Sequence, residues 1–168
     1  MLVKFVGAVL ITISSVMIGA SLKKRLSDHV AELKETADFL IFAKRMIGYD
    51  MPLLADLFFQ YEKEKSCGII AAAAENLRSG ESYEESVKKA FELPSSECTL
   101  TERERQKICG FFMQLGSSDI QSQHLLIDSA LNQIEYMTAE AENEKERNSG
   151  VYMSAAVYIG VTLAILIV

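Results

Sequence analysis

Hydrophobic and charged positions are distributed very unevenly along this chain. Residues 5–22 and residues 151–168 each form a run of 18 residues without a charge. At the 1.5 Å rise per residue of an α-helix, such a run is about 27 Å long, which is close to the roughly 30 Å hydrocarbon core of a bilayer. The pattern therefore predicts a transmembrane helix at each end of the chain.

The first run has an alternative interpretation as a cleaved signal peptide. Lys4 gives it a basic start, and Gly19, Ala20 and Ser21 resemble a small-residue cleavage site. Three cations follow at once, however, and they are Lys23, Lys24 and Arg25. A basic cluster directly after an apolar segment is typical of a retained anchor, so we expect an uncleaved transmembrane helix.

The cations beside the two runs also predict the orientation of the chain. The basic triplet at residues 23–25 follows the first run, and Lys145 and Arg147 precede the second. Because positively charged flanks stay on the cytoplasmic side of a membrane, we expect a two-pass integral membrane protein whose central region is cytoplasmic.

Between the two runs, apolar residues recur with the 3.5-residue spacing of helices that pack along a long partner. The first such stripe consists of Leu26, Val30, Leu33, Ala37, Leu40, Lys44 and Ile47. The second consists of Ile120, His124, Ile127, Leu131, Ile134, Thr138 and Ala141. Lys44 alone breaks the first stripe. We expect two long antiparallel helices, each continuous with one of the terminal helices.

Capping signals divide the remainder into shorter helices. Ser82, Thr101 and Ser118 each stand three residues before a glutamate or glutamine, which is the capping-box pattern. Gly48 is placed to end the first long helix in a left-handed conformation. No segment alternates with a period of two over a useful length, so we expect no strands.

The predicted fold is therefore all-α, a bundle of about six helices. The predicted divisions are an N-terminal transmembrane helix at residues 1–22, a helical cytoplasmic domain at residues 23–150 and a C-terminal transmembrane helix at residues 151–168.

Small or polar residues line one side of each terminal run. The ridge on the first run is Ala8, Thr12, Ser15 and Gly19, and that on the second is Ala156, Gly160 and Ala164. Such ridges let helix backbones approach closely. Two interpretations stay open: small residues are simply common in membrane helices, or these ridges meet each other or another membrane subunit.

Charge excludes one class of partner for the central region. Residues 26–147 carry 13 basic and 23 acidic residues, a net charge of −10. Nucleic acid needs a basic face, so we expect no nucleic-acid partner. The three cysteines, at positions 67, 98 and 109, form no CxxC pair, which fits a reducing compartment.

The chain lacks the patterns of common catalytic and metal sites. His29 and His124 are its two histidines, and no cysteine spacing of the zinc type accompanies them. It has no G-x-S-x-G, no phosphate-binding lysine loop and no dinucleotide glycine pattern. We therefore expect no enzymatic activity, cofactor, metal or small-molecule substrate.

Two short segments resemble motifs of a known family. Residues 45–53, RMIGYDMPL, are similar to the motif E-I-x-Y-G-x-T-P-L, and residues 115–123, LGSSDIQSQ, are similar to L-G-x-S-D-x-x-x-Q. In this order between two apolar ends, they make the whole chain resemble the stage III sporulation protein AB family of endospore-forming bacteria. The resemblance marks as candidate interaction residues Tyr49, Asp50, Pro52, Leu53, Leu115, Gly116, Asp119 and Gln123.

The first of these segments departs from the family motif. Arg45 and Met46 replace a glutamate-containing turn of helix, the glycine precedes rather than follows Tyr49, and Met51 replaces a threonine. A contact that this turn makes with a partner in the family is therefore open to change in this chain.

The resemblance implies a place in the sporulation assembly that joins mother cell and forespore, with the central domain on the mother-cell side. Residues 79–91, SGESYEESVKKAF, are also similar to a stretch of the platform protein F of type II secretion and type IV pilus machines. By analogy, we expect an adaptor that links a secretion-type ATPase to membrane channel components. The alternative is a pore-lining subunit, which the lack of ionisable residues within either apolar run disfavours.

Overall fold

Six helices account for almost all of the residues that the structure describes, which are 2–50, 53–64, 68–94 and 98–167 in a computed structural model. The helices are α1 (Leu2–Asp50), α2 (Leu54–Glu64), α3 (Gly68–Arg78), α4 (Tyr83–Phe91), α5 (Glu102–Gln114) and α6 (Ile120–Ile167). Those described ranges contain no strand. The prediction of an all-α chain is confirmed, and α1 and α6 each run without a break from their stripe into a terminal apolar run.

Residue contacts divide the chain into two compact units. The terminal unit comprises Met1–Val30 and Ala139–Val168, and the central unit comprises Ala31–Thr138. The long helices α1 and α6 therefore each contribute a segment to both units. The divisions that the sequence predicted after residues 22 and 150 stay predictions.

Aromatic rings form the centre of the central unit. Phe39 of α1 is fully buried, and its ring centroid lies 4.7 Å from that of Phe58 and 5.5 Å from that of Phe112. The ring of Tyr61 approaches Phe39 edge-on at 5.2 Å. Offset and edge-on pairs of this kind are the favourable ring geometries, so one residue of α1 joins α2 and α5 at a single point.

The shorter helices pack in chain order. α3 contacts both α2 and α4, and α4 contacts α5. Ile69, Ile70, Ala73 and Ala74 form the buried face of α3, while Val87, Ala90 and Phe91 are buried on α4. Successive helices thus bury their apolar faces against their neighbours in the chain.

Within the central unit, α1 and α6 run antiparallel, as predicted. Lys44 of α1 forms an ion pair with Asp128 of α6, and Gly48 of α1 lies beside His124 of α6. The polar interruption of the first stripe at Lys44 therefore has a partner on the facing helix.

Both stripes are wider than the sequence predicted. Leu33, Leu40, Ile127 and Ile134 are fully buried, but so are Phe39, Ala43 and Ala130, which lie off the predicted lines. Ile120, the first residue of the second stripe, is exposed. A strict 3.5-residue seam fits one partner helix, whereas a helix in a globular core needs a broader apolar face.

Two of the predicted helix starts are confirmed and one was assigned to the wrong residue. The Thr101 hydroxyl accepts from the backbone N–H of Glu104, and the Glu104 carboxylate accepts from that of Thr101, which completes a capping box. Ser82 caps α4 by accepting from the N–H of Glu85. For α6, however, the carboxylate of Asp119 rather than the hydroxyl of Ser118 accepts from the first free N–H groups.

The prediction that Gly48 ends the first long helix is wrong. α1 continues to Asp50, and Gly48 is an ordinary helical residue within it. The described glycines with positive φ are Gly68, Gly80 and Gly116. A Cβ at position 48 would lie 3.5 Å from the His124 ring, which is an ordinary contact distance, so this contact does not require a glycine.

A single arginine fixes the connection between α4 and α5. The guanidinium of Arg105 donates to the carbonyl oxygens of Leu93 (2.6 Å), Leu100 (3.1 Å) and Cys98 (3.3 Å). From α1, the carboxylate of Glu32 accepts from the backbone N–H of Thr99 at 2.7 Å and from its hydroxyl at 2.6 Å. Charged groups on two helices therefore bind backbone groups of Leu93 and of residues 98–100.

In the terminal unit, the first segment of α1 and the last segment of α6 also run antiparallel. The Ser15 hydroxyl donates to the backbone carbonyl of Ala156, and the Lys145 ammonium group donates to the Ser27 hydroxyl at 3.1 Å. Several side chains of this unit lie outside the described residues. Among the residues that the structure does describe, no helix combines the length and the apolar character that crossing a membrane requires.

Candidate functional site

The second family-like segment, residues 115–123, builds the tight turn between α5 and α6. Leu115 points into the core and Gly116 has a φ of +78°, a conformation that favours glycine. Asp119 then caps α6, accepting from the N–H groups of Gln121 (3.1 Å) and Ser122 (3.2 Å). The residues of this segment thus have defined local roles in reversing the chain.

Gln123 stabilises this turn through hydrogen bonds from a buried position. Only 2% of this polar residue is exposed. Its Oε1 accepts from the backbone N–H of Gly116 at 3.0 Å, and its Nε2 donates to the Ser118 hydroxyl at 2.9 Å. A further contact joins Nε2 to the carbonyl of Gln114 at 3.4 Å. A buried amide costs free energy unless it is hydrogen-bonded, so these bonds favour this conformation of the turn over others.

The first family-like segment, residues 45–53, meets the second at this same end of the central unit. A Cβ placed on Gly116 would lie 2.7 Å from Cδ1 of Leu54, so the start of α2 packs directly on the turn. A Cβ on Gly48 would lie 3.5 Å from the His124 ring. The structure therefore brings together two segments that are more than 60 residues apart in the sequence.

The marked residues of the first segment are placed less fully. The side chains of Tyr49 and Asp50, and the whole of Pro52, lie outside the described residues. Leu53 is described and 76% exposed, and its carbonyl accepts from the N–H of Asp56 at 2.9 Å. Its backbone thus begins α2 while its side chain remains available at the surface.

His124 is half-buried in the interface between α1 and α6. Its Nε2 atom is buried and has no hydrogen-bond partner among the described residues. Within the same described ranges, no three histidine, cysteine, aspartate or glutamate side chains form a group that could hold a metal ion.

An open depression of about 520 Å³ lies beside the turn, between the end of α5 and the first two turns of α6. Its lining residues are Gln114, Ser117, Ser118, Ser122, Leu125 and Leu126. Its hydroxyl and amide groups offer hydrogen bonds, and its two leucines offer apolar contact.

Two described cysteines of the central unit have raised pKa values. Burial raises the pKa of the Cys98 thiol to about 11, and the negative charge of Glu32 adds to the rise. Burial also raises the pKa of the half-buried Cys109. A thiol with a raised pKa is a poor nucleophile. By contrast, hydrogen bonds from the Ser122 hydroxyl and backbone N–H hold the pKa of Asp119 below its usual value.

The structure also places the residues that the sequence marked for packing and topology. Ser15 of the first ridge meets Ala156 of the second, and Gly19 and Gly160 are both buried. The side chains of Ala8, Thr12 and Ala164 lie outside the described residues. Lys23, Lys24 and Arg25 are exposed.

Three positions important to this unit were missed by sequence reasoning: Glu32, Leu54 and Arg105. Each acts through a contact with a distant or irregular part of the chain, and neither charge pattern nor periodicity distinguishes them from exposed neighbours. The capping signal at Thr101 located the helix that carries Arg105, but not the three carbonyls it binds.

The family model described as stage III sporulation protein AB matches residues 4–168. No curated protein and no solved structure matches the chain.

Proposed function

Because the chain belongs to the stage III sporulation protein AB family, we propose that it is a non-enzymatic structural and adaptor subunit of a membrane-spanning sporulation complex between mother cell and forespore. The observation that carries this proposal is the extent of the family match. It begins at residue 4 and ends at residue 168, so the terminal helices and the central helices belong to one family unit.

The proposal includes a two-pass topology with the central unit in the mother-cell cytoplasm. It is supported by the two uncharged 18-residue runs and by the exposed basic triplet at residues 23–25. The described apolar side chains of the terminal unit add support, because large residues such as Met17, Tyr158 and Ile165 are mostly exposed. An apolar exterior of this kind suits a hydrocarbon environment.

A labelling experiment tests this topology. We expect a Thr162→Cys variant of the full chain, with its three native cysteines replaced, to resist a membrane-impermeant maleimide in intact and permeabilised cells. Ser122→Cys is the matched control, because this exposed hydroxyl lies in the central unit and should react only after permeabilisation. Labelling of Ser122→Cys in intact cells would contradict the orientation, and labelling of Thr162→Cys would contradict the buried span and favour a water-filled pore.

The adaptor role is supported by how the central unit uses its residues. The turn at residues 115–123 satisfies its polar groups internally, and the depression beside it is open. Burial raises the pKa of the Cys98 and Cys109 thiols. A unit with its own aromatic core and an open uncharged surface is suited to holding other subunits, which in this proposal are a secretion-type ATPase and membrane channel components.

Affinity purification tests the adaptor role. The tagged full chain, solubilised in mild detergent from sporulating cells, should retain a secretion-type ATPase and membrane channel subunits. The same tagged chain made in non-sporulating cells is the control for adventitious binding. Recovery of the chain without either class of partner, under conditions that preserve other membrane complexes, would refute the proposal.

A further inference from the structure

Basic residues border both apolar runs of the terminal unit on the same side. The first charged residues after the N-terminal run are Lys23, Lys24 and Arg25, and the last charged residue before the C-terminal run is Arg147. All four are exposed. We call these four residues the basic layer. Their side chains are accessible to a ligand from outside the chain.

Two contacts between α1 and α6 bring the basic layer to one level of the terminal unit. The Ser15 hydroxyl donates to the carbonyl of Ala156, and the Lys145 ammonium group donates to the Ser27 hydroxyl at 3.1 Å. Both helices rise by the same distance per residue, and they run antiparallel. Counting along them from either contact therefore places Arg147 level with the basic triplet at residues 23–25.

Acidic residues begin only where the basic layer ends. Glu146 is level with the end of the triplet, and Asp28 and Glu144 follow within one helical turn; all three are exposed. Among the described residues, none of the four basic side chains forms an ion pair with a carboxylate. Toward the apolar runs, the next residues are Leu22, 42% exposed, and Val151, 60% exposed. Unpaired cations therefore separate exposed apolar side chains from exposed carboxylates.

An anionic phospholipid is the ligand whose chemistry fits this border. Its phosphate complements the cations, and its acyl chains can extend along the exposed apolar side chains beside them, such as Ile18 and Leu22. A soluble anion would use the charges alone. An acidic protein would also have to approach the exposed carboxylates, which costs free energy. A zwitterionic lipid carries a compensating positive charge, so it gains less from the cations.

We propose that the basic layer binds the phosphate headgroups of anionic phospholipids in preference to zwitterionic ones. This inference rests on the two-pass topology of the proposed function and adds to it a lipid partner of stated charge. Near a membrane surface, each lysine or arginine strengthens the interaction with anionic lipid roughly fivefold. Several cations at one level therefore produce a large difference in affinity between the two classes of lipid.

Native mass spectrometry of the full chain in detergent, titrated with phosphatidylglycerol or phosphatidylcholine, tests the proposal. We expect at least tenfold tighter binding of phosphatidylglycerol, and a triple variant with glutamine at positions 23, 24 and 25 should remove this preference. The matched control replaces three exposed cations of the central unit by glutamine, which changes the net charge equally: Lys88, Arg103 and Lys107. The control should keep the preference. Equal affinities of the unaltered chain for both lipids, or equal losses in both triple variants, would overturn the proposal.

Two further measurements test the site and the source of its ligand. Arg147→Gln changes one exposed side chain on the other helix and should weaken phosphatidylglycerol binding roughly fivefold. An unchanged affinity would overturn the four-residue site. Inorganic phosphate, compared with chloride at the same ionic strength, should not displace the bound lipid. Displacement would assign the site to soluble phosphate and overturn the lipid assignment. Unchanged circular dichroism of each variant would confirm that its helices are intact.

The two proposals fail in different ways. If the unaltered chain shows no lipid preference but Thr162→Cys resists labelling, the basic layer is not a lipid site and the two-pass topology stands. If Thr162→Cys is labelled in cells, the topology on which this inference rests is itself wrong.

Discussion

The central unit and the terminal unit use the same two helices in opposite ways. In the central unit, α1 and α6 bury large side chains, and Phe39 and Ile134 are completely covered. In the terminal unit, many of the described large apolar residues are exposed, as Met17 and Tyr158 are, and the Ser15 hydroxyl of one helix donates to the backbone carbonyl of Ala156 on the other. The comparison teaches that the central unit is stabilised by its own core, whereas the stability of the terminal unit depends on its surroundings.

The largest expected effect comes from removing an aromatic ring from the central core. Phe112→Ala deletes a ring that contacts Phe39, Phe58 and Phe91, and we expect it to lower the free energy of unfolding by about 3–5 kcal/mol. Met17→Ala in the terminal unit should change it by less than about 0.5 kcal/mol, because that side chain is exposed to the surroundings. Thermal unfolding of the full chain in one detergent, followed by circular dichroism, measures both. Equal losses would contradict the comparison.

A smaller effect is expected at the turn where the two family-like segments meet. Gly116→Ala forces a Cβ to within 2.7 Å of Leu54 at a φ of +78°, and strain of this kind costs about 1–3 kcal/mol. The double variant with Leu54→Ala should be less destabilised than the sum of the single changes, because the smaller side chain removes the clash.

Gly110 is the matched control for that substitution. It lies within α5, and a Cβ there would meet nothing within 4 Å. Gly110→Ala should therefore stabilise the chain by roughly 0.5–1 kcal/mol. If Gly116→Ala behaved in the same way, the proposed packing of α2 on the turn would be wrong.

Loss of a helix cap should have an effect of about 1 kcal/mol in the central unit. Thr101→Ala removes the hydroxyl that accepts from the N–H of Glu104, whereas Thr101→Ser retains it. In the terminal unit, Ser21 donates to the carbonyl of Met17 four residues earlier, which the helix already engages, so Ser21→Ala should have almost no effect. Thermal unfolding of these three variants measures the stability that each hydroxyl contributes. A larger loss of stability from Ser21→Ala than from Thr101→Ala would contradict this prediction.

The smallest expected effect is a pH dependence from Asp119. Its carboxylate has a lowered pKa in the folded chain because Ser122 donates hydrogen bonds to it. The stabilisation is therefore fully present above the ordinary pKa of an aspartate, about 3.9, and is lost as the pH falls through the lower folded value. Asp119→Asn should flatten this part of the stability curve between about pH 2 and pH 5. An unchanged curve would show that Asp119 contributes nothing to it.

Local signals in the sequence predicted the helices better than the contacts between them. The capping patterns at Ser82 and Thr101 located α4 and α5, because a cap depends on residues only three positions apart. Asp119 shows the limit of this reasoning: the pattern predicted Ser118 as the cap of α6, whereas the capping carboxylate belongs to the next residue. Gly48 shows another limit, because a glycine inside a helix looks the same in the sequence as one that ends a helix.

The sequence identified residues of the candidate site but did not predict the contacts between them. The resemblance identified residues 115–123, and the structure explains Leu115, Gly116, Asp119 and Gln123 as parts of one turn. That Leu54 covers this turn, and that Glu32 binds Thr99, are contacts across long stretches of chain. They depend on how the helices pack, for which neither periodicity nor charge pattern provides a local signal.

The aromatic cluster around Phe39 has a consequence for the order of events during synthesis. Its rings come from α1, α2 and α5, so the last of them, Phe112, precedes all of α6. At roughly 5–20 residues per second, translation of residues 113–168 takes on the order of 3–11 s. During that interval the aromatic rings around Phe39 can pack together, while the face of α1 around Lys44 and Gly48 is not yet covered by α6.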